Sequence, residues 1–595
     1  MSNMLAEYFP CDEKYKSPVG GVATGEDFTI SLVCPNASSV IFALTKEGVY
    51  EQTVFYPMTR TESGFSLTMK VTTSGLYFYR FIAKNDSEEK TFYAGNDLKP
   101  CESGVEWQLT VYDALYETPN TFDGGIIYQI MVDRFAIGGE RKRTKEGVVY
   151  RDDWGGLPVY KPDEKGVVRN NDFFGGNLKG VTDKLDYLKS LNVKCIYLNP
   201  IFEARSNHKY DTGNYLKVDS DFGDEKDLKE LIDEAKKRDI NIILDGVFSH
   251  TGDDSVYFNK YGSYDTLGAY QGEQSPYYKW YDFTHFPDKY ASWWGINTLP
   301  CVNETEKSYD EFINGENGVV RKYMRLGIAG FRLDVADELP DGFLDNLAVA
   351  VKSENPKGMV LGEVWEDASN KIAYSYRRRY LRGKQLDSVT NYPFKNAIIS
   401  YILSGDERAL INTLYSLINN YPKKVLDNLM NLLGTHDTAR ILTELCGETR
   451  PSDKDGRSTF TISDYARAKK RLFLASVLQY TLPGVPCVYY GDEAGMQGCE
   501  DPFNRRCYPW GSEDESVKAH YKNLGELRKR SELFGGEVKV NYAGSGVIDF
   551  TRGESLRIVV NAGETVYLLG KEVTDLVSGE KKKEIGNCEF VVCEL

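Results

Sequence analysis

Three carboxylates, Asp334, Glu363 and Asp437, each follow a short apolar run that reads as a strand. The stretches are GFRLDVADE (330–338), GMVLGEVWEDA (358–368) and NLMNLLGTHDTAR (428–440). A carboxylate fixed at a strand end, with apolar residues buried behind it, is a positioned reagent rather than a solvated surface charge. Two such groups supply what cleavage of a glycosidic bond needs, one to attack or activate water and one to protonate the leaving oxygen. A third can hold sugar hydroxyls and, by like-charge repulsion, keep the acid protonated. One Asp or Glu in such a place is ordinarily a helix cap or a surface ion pair. Three in an ordered series of strand ends point to a site.

The elements that must position them form a regular series. Strand-like runs are IIYQIMV (126–132), KCIYLNP (194–200), INIILDGVF (240–248), AGFRLDV (329–335), MVLGEV (359–364), LDSVTNY (386–392), LMNLLGT (429–435) and PCVYYG (486–491). Helical patterns lie between them, such as KDLKELIDEAKKR (226–238), with Leu228, Leu231, Ile232 and Ala235 on one face, and NGVVRKYMRLG (317–327). Eight strands alternating with helices imply an α/β fold, a parallel (β/α)8 barrel of the TIM type, spanning about 123–534. Its active site belongs at the C-terminal ends of the strands, where the fourth, fifth and seventh would bring the carboxylates together. The aromatic segment 251–310 is too long for an ordinary connection and reads as a small inserted domain. Before the barrel, 1–122 alternates apolar and polar positions in short runs between turn residues, the pattern of an antiparallel β-sandwich. After a closing helix around 516–533, the runs VIDFTR, LRIVV and CEFVVCEL read as a C-terminal β-domain, 535–595.

Bulk properties narrow the class. The chain has 595 residues, enough for several domains, and a formal net charge of −16, which disfavours nucleic acid or an anionic membrane as partner. The basic runs Arg377–Arg379 and Lys581–Lys583 read as solvated faces. No stretch approaches the roughly 18 apolar residues that span a bilayer. The opening MSNMLAEYFPCDEKY lacks the basic start and apolar core of a secretory signal, so a cytoplasmic location is expected of the chain as given. The 11 cysteines are odd in number, dispersed and free of CxxC pairs, which fits free thiols rather than a disulfide framework.

Four motifs resemble the signature regions of the α-amylase family of glycoside hydrolases: LDGVFSH (244–250), GFRLDVADE, GEVW (362–365) and LLGTHD (432–437). They occur in the family's order, and the likeness extends through HKYDTGNY (208–215) and GVPCVYYGDEAGM (484–496), over roughly 125–530. Within the family the chain looks most like the neopullulanase, cyclomaltodextrinase and maltogenic amylase group. LPCVN (299–303) is similar to that group's additional signature, and the N-terminal β-domain matches its architecture. A Lys-His pair commonly follows the fourth-strand Asp in α-amylases; here Ala336-Asp337-Glu338 follows Val335, close to the group's Ala-Asn-Glu.

The resemblance implies a retaining hydrolase of α-glucosidic bonds, mainly α-1,4, acting on maltooligosaccharides, cyclodextrins, pullulan or starch. Arg332 and Asp334 share a strand face, and the guanidinium would keep Asp334 ionised as the nucleophile. Glu363 would be the acid/base and Asp437 the third carboxylate, holding ring hydroxyls. His250 and His436 would offer neutral or cationic donors to the sugar. Tyr210 would stack beneath the ring, and Asp211 would tether Arg332. Trp365 and Glu338, in two of the motifs, are further candidates for substrate contact. Three of the five histidines, His208, His250 and His436, fall in these motifs. Asp245 could bind substrate or support the site, and Trp293, Trp294 and Trp365 could be core or could stack on pyranose rings.

Calcium is possible in this family, but its usual ligands are partly missing. Ser249 stands where Asn often precedes the motif His. The loop AIGGERKR (136–143) lacks hard oxygen ligands, and Asn177 replaces the more usual Asp. No cofactor is expected to be required. The resemblance also implies an α-glucan partner and a possible homodimer through the N-terminal domain. A 4-α-glucanotransferase of the same family is the alternative, with a non-catalytic carbohydrate-binding relative as a remote one. A metal-dependent hydrolase is disfavoured because no HxxH, HxH or CxxC spacing occurs.

Overall fold

The computed structural model describes residues 4–48, 52–164 and 166–595. Its central sheet contains all eight anticipated runs: β1 (Ile126–Ile130), β2 (Val193–Leu198), β3 (Asn241–Gly246), β4 (Gly330–Leu333), β5 (Met359–Gly362), β6 (Ser388–Val389), β7 (Met430–Leu432) and β8 (Val485–Tyr489). All pair in parallel, in the order β6-β5-β4-β3-β2-β1-β8-β7. A single bridge between Thr390 and Met430 closes the sheet into a barrel. Asn391 braces that seam through its N–H to the Met430 carbonyl (2.9 Å) and its amide to Asn431 Oδ1 (2.8 Å).

Strand periodicity explains both the dry interior and the polar top. Ile127, Cys195, Ile243 and Leu361 pack together inside the barrel. Two residues further along the same strands come Gln129, Tyr197, Asp245 and Glu363. Side chains at i and i+2 share a face, so the inward row that is apolar below becomes polar at the C-terminal mouth. Strand β4 must begin with glycine. Gly330 has φ 145°, and a Cβ there would lie 2.0 Å from the Met359 carbonyl oxygen.

The helix expected near 226–238 spans Glu225–Lys237, started by a capping box in which Asp224 and Asp227 satisfy each other's backbone N–H. The helix near 317–327 spans Val319–Leu326 and stops at Gly327 in the left-handed conformation.

The N-terminal segment forms two sheets around its own core, including Phe28, Phe42, Tyr79, Phe81 and Trp107. Its pairing is not wholly antiparallel, since Trp107–Tyr112 runs parallel to Val22–Ala23. At the other end, the sheet of Val538–Gly544, Val547–Arg552, Leu556–Asn561 and Glu589–Glu594 sends Phe550, Ile558 and Val560 into the core shared with the barrel helices.

Segment 251–310 packs Tyr257, Phe258, Trp280 and Tyr281 against the barrel's core, beside 3-10 turns and one small hairpin. One expectation needs correction: Arg377–Arg379 are not a solvated face. Arg377 Nη2 lies 2.7 Å from Glu47 Oε1, Arg378 donates to the Leu339 carbonyl (3.1 Å), and Arg379 Nη2 donates to Asp345 (2.5 Å). All 11 cysteines are free. Among the described residues no helix is long and apolar enough to cross a membrane.

Candidate active site

Asp334 and Glu363 each stand one residue past their strands, β4 and β5, and Asp437 lies in the loop beyond β7. All three face one cavity of about 1180 Å³ at the C-terminal mouth of the barrel. Arg332 is the hub. Its Nη1 donates to Asp245 Oδ1 (2.8 Å) and Asp334 Oδ1 (3.0 Å), and its Nη2 lies 2.7 Å from Glu363 Oε2. One buried guanidinium thus faces three carboxylates, which cannot all be neutralised by it. Burial pushes the Asp334 carboxyl well above its ordinary range; Arg332 pulls it back, while Glu363, Asp245 and Asp437 push it further.

The backbone between the two strand-end carboxylates is strained. Val335 has φ 33°, a left-handed conformation that a β-branched residue rarely adopts. Its N–H is thereby turned to donate to Glu363 Oε2 at 2.9 Å, and Trp365 Nε1 donates to the other oxygen at 3.0 Å. Both oxygens of Glu363 are fixed before any ligand arrives.

A second network orders the opposite wall. Gln129 Nε2 donates to His436 Nδ1 (2.8 Å) and to Asn199 Oδ1 (3.1 Å). The His436 proton is then carried on Nε2, which lies 2.6 Å from the Tyr210 hydroxyl and 3.2 Å from Asp437 Oδ2. Tyr210 in turn donates to Asp245 Oδ2 (2.8 Å), which also accepts from Tyr197 (2.5 Å). Asp245 is therefore a support for the site, its oxygens occupied by Arg332, Tyr197 and Tyr210. Burial, with Arg505 and Arg332 nearby, holds His436 well below the ordinary histidine range, so it is a neutral donor at pH 7, not a cationic one.

His250 and Asp211 differ from expectation. The His250 Nε2 proton goes to the Tyr210 carbonyl (3.0 Å), and burial lowers the ring to about 4. It props the Tyr210 loop in neutral form rather than presenting a free donor. Asp211 does not tether Arg332: its carboxylate accepts from the Ser206 N–H (3.0 Å) and hydroxyl. The tether is Asp245, one strand away, because β3 and β4 are neighbours in register with Asp245 beside Arg332. His208 also serves this loop, its Nδ1 accepting from the Tyr210 N–H at 3.1 Å.

The aromatic candidates line the cleft and are not core. Trp365 is 43 % exposed and stacks on Tyr392, centroids 4.0 Å apart. Trp293 and Trp294 stack on each other at 5.0 Å, and Glu338 accepts from Trp294 Nε1 at 3.3 Å.

Comparison with known proteins fits this geometry. Residues 129–534 match the family described as alpha amylase, catalytic domain. The chain belongs to the α-amylase family. It is 34% identical to neopullulanase 2 of Thermoactinomyces vulgaris over 84% of this chain and 82% of that protein. It is also 34% identical to an amylopullulanase of Thermoanaerobacter thermohydrosulfuricus, over 95% of this chain but 41% of that protein, so it spans less than half of this relative. The solved type III pullulan hydrolase of Thermococcus kodakarensis superposes with TM-score 0.69 at 25% identity, covering 99% of this chain and 100% of that one.

Family membership raises the question of calcium, and the residues after β1 do not fit it. Asn177 Oδ1 accepts from Gly138 N (3.1 Å) and Gly180 N (2.8 Å), while its Nδ2 donates to the Gly138 carbonyl (2.9 Å). The Asn177 carboxamide, donating as well as accepting, ties this loop with three hydrogen bonds. Among the described residues no group of three or more His, Cys, Asp or Glu side chains is arranged to hold a metal ion.

Several site residues carry little or no signal in the sequence. Gln129 and Asn199 extend inward rows of their strands, so the period of two was the available signal. Asn504 and Arg505 had none. They come from a short 3-10 turn after β8, Phe503–Arg505, where Asn504 Nδ2 donates to the His436 and Thr438 carbonyls (2.8 Å each) and Arg505 Nε to the His436 carbonyl (2.9 Å).

Proposed function

We propose that this chain is a retaining hydrolase of α-glucosidic bonds in maltodextrins, cyclodextrins or pullulan. The observation that carries this reading is the sharing of one buried guanidinium, Arg332, by Asp334 and Glu363 at the floor of a single cleft. Asp334 Oδ attacks the anomeric carbon as Glu363 gives its proton to the leaving glycosidic oxygen, forming a glycosyl ester and a free sugar end. Glu363, now ionised, takes a proton from water; the water oxygen displaces Asp334 and returns the α-anomer. Asp437 and the neutral His436 hold hydroxyls of the ring being distorted. Names among the relatives, neopullulanase and pullulan hydrolase, favour water over a second sugar as acceptor. No calcium takes part in this scheme.

The test is kinetic and stereochemical. Asp334→Asn should abolish turnover of maltoheptaose while leaving the fold intact. Glu363→Gln should lower the rate on the order of 10²–10⁴-fold on natural glucans, and less on an α-glucosyl fluoride, whose leaving group needs little protonation. Proton NMR of the first product should show the α-anomer; an initial β-anomer would refute the double displacement. Longer oligosaccharides accumulating from maltotriose would instead identify a glucanotransferase.

A further inference from the structure

Between β5 and β6 a small hairpin, Ile372–Ala373 paired with Tyr376–Arg377, reaches over the cleft. It turns through Tyr374 and Ser375, both left-handed, with φ 51° and 68°. Two-residue turns of this hand usually employ Asn or Gly, so a tyrosine here sits on strained backbone. Trp294, on the loop after β3, is also left-handed, with φ 48°. Both rings are open to solvent, Tyr374 by 62 % and Trp294 by 76 %. Both aim a donor at the same atom, Glu338 Oε1, from 2.6 Å for the Tyr374 hydroxyl and 3.3 Å for Trp294 Nε1.

The hairpin is held firmly enough to be a fixed wall. Lys371 Nζ lies 3.1 Å from Asp337 Oδ2, and Tyr380 donates to Asp337 Oδ1 at 2.6 Å. Arg377 binds the Glu47 carboxylate through Nε (2.8 Å) and Nη2 (2.7 Å). Exposed aromatic faces at the edge of a carboxylate, in a wet cleft, suit a pyranose: its C–H face packs on a ring while its hydroxyls bond to the carboxylate and phenol. Asp334, only 6 % exposed, lies at the floor, whereas Tyr374 stands at the rim.

We propose that Tyr374, with Glu338 and Trp294, contacts a glucosyl ring remote from the bond being cleaved and thereby sets a preference for longer chains. This rests on the α-glucan reading above. In the full chain, Tyr374→Ala should raise KM for maltoheptaose roughly 3- to 30-fold, the range of a lost stacking contact and hydrogen bond. Its kcat should stay within about twofold, and kcat/KM for the one-ring α-glucosyl fluoride should not change. Tyr374→Phe, which keeps the ring and loses the hydroxyl, should fall between. Equal losses on both substrates, or an unchanged KM for maltoheptaose, would overturn the proposal. Calorimetric titration of maltoheptaose into Asp334→Asn, with and without Tyr374→Ala, reads the same contact without turnover and should show the same fold loss; equal affinities would overturn it. A wild-type chain that bound maltoheptaose through Tyr374 but cleaved nothing would sink the hydrolase reading alone and leave this contact standing.

Discussion

Asp245 shows how much the chemistry of one residue depends on its neighbours' charges. It shares Arg332 with Asp334, and its negative charge is among those that push the Asp334 carboxyl up. The attack requires the Asp334 anion, and the anion fraction rises with pH through that raised value. The acid limb of kcat/KM should therefore lie above the ordinary carboxylate range. Asp245→Asn removes one repelling charge and leaves more of the guanidinium to Asp334, so the limb should move to lower pH even if the rate falls. A limb that stays put or moves up would show that another group governs it.

At the scale of elements, the loop after β1 closes on Asn177, whose amide oxygen is already engaged by the Gly138 and Gly180 N–H groups rather than free to meet calcium. Treatment with EDTA should accordingly leave most activity in place; a loss that calcium alone restores would contradict this. Elements were legible in the sequence wherever burial imposes a period. Eight apolar runs, with Asp334, Glu363 and Asp437 at three of their ends, needed only alternation and order to yield the barrel and its mouth. The Asp224 box and Gly327 marked helix ends by their own chemistry. That Asp245 and not Asp211 tethers Arg332 is not legible, because sequence gives a strand's face but not which neighbour stands in register. The hairpin carrying Tyr374 stayed hidden for a different reason. Its turn uses residues that do not advertise a turn, and its arginines look like solvated charge until Glu47, Asp341 and Asp345 are seen beside them.

On the scale of the molecule, the N-terminal segment meets the barrel through apolar packing, of Val19 and Tyr112 on its core and of Phe9 on Tyr415, and through buried polar contacts. Lys16 Nζ donates to Asn419 Oδ1 (3.1 Å), Thr110 Oγ1 to the Asn420 carbonyl (2.6 Å), and Gln108 Nε2 to Ser369 Oγ (2.9 Å). These groups are buried, and Tyr116 and Phe122 pack into the barrel's own core, so a barrel lacking residues 1–122 exposes a dry face and must first be shown to fold. It would lose Glu47, and with it the bidentate anchor of the hairpin above the cleft. Its activity should shift toward starch relative to β-cyclodextrin, and Glu47→Ala in the full chain should shift it the same way by less. An unchanged ratio in a folded truncation would deny the N-terminal sheets any part in specificity. The C-terminal sheet faces two ways: Val547, Val559 and Val591 pack a small core of its own with Leu569, Val573 and Ile585, while Phe550, Ile558 and Val560 complete the barrel's. Descent can add or discard most readily a unit that encloses an interior of its own. A sheet that finishes its neighbour's interior must be inherited with it, and each can change only as fast as the other permits.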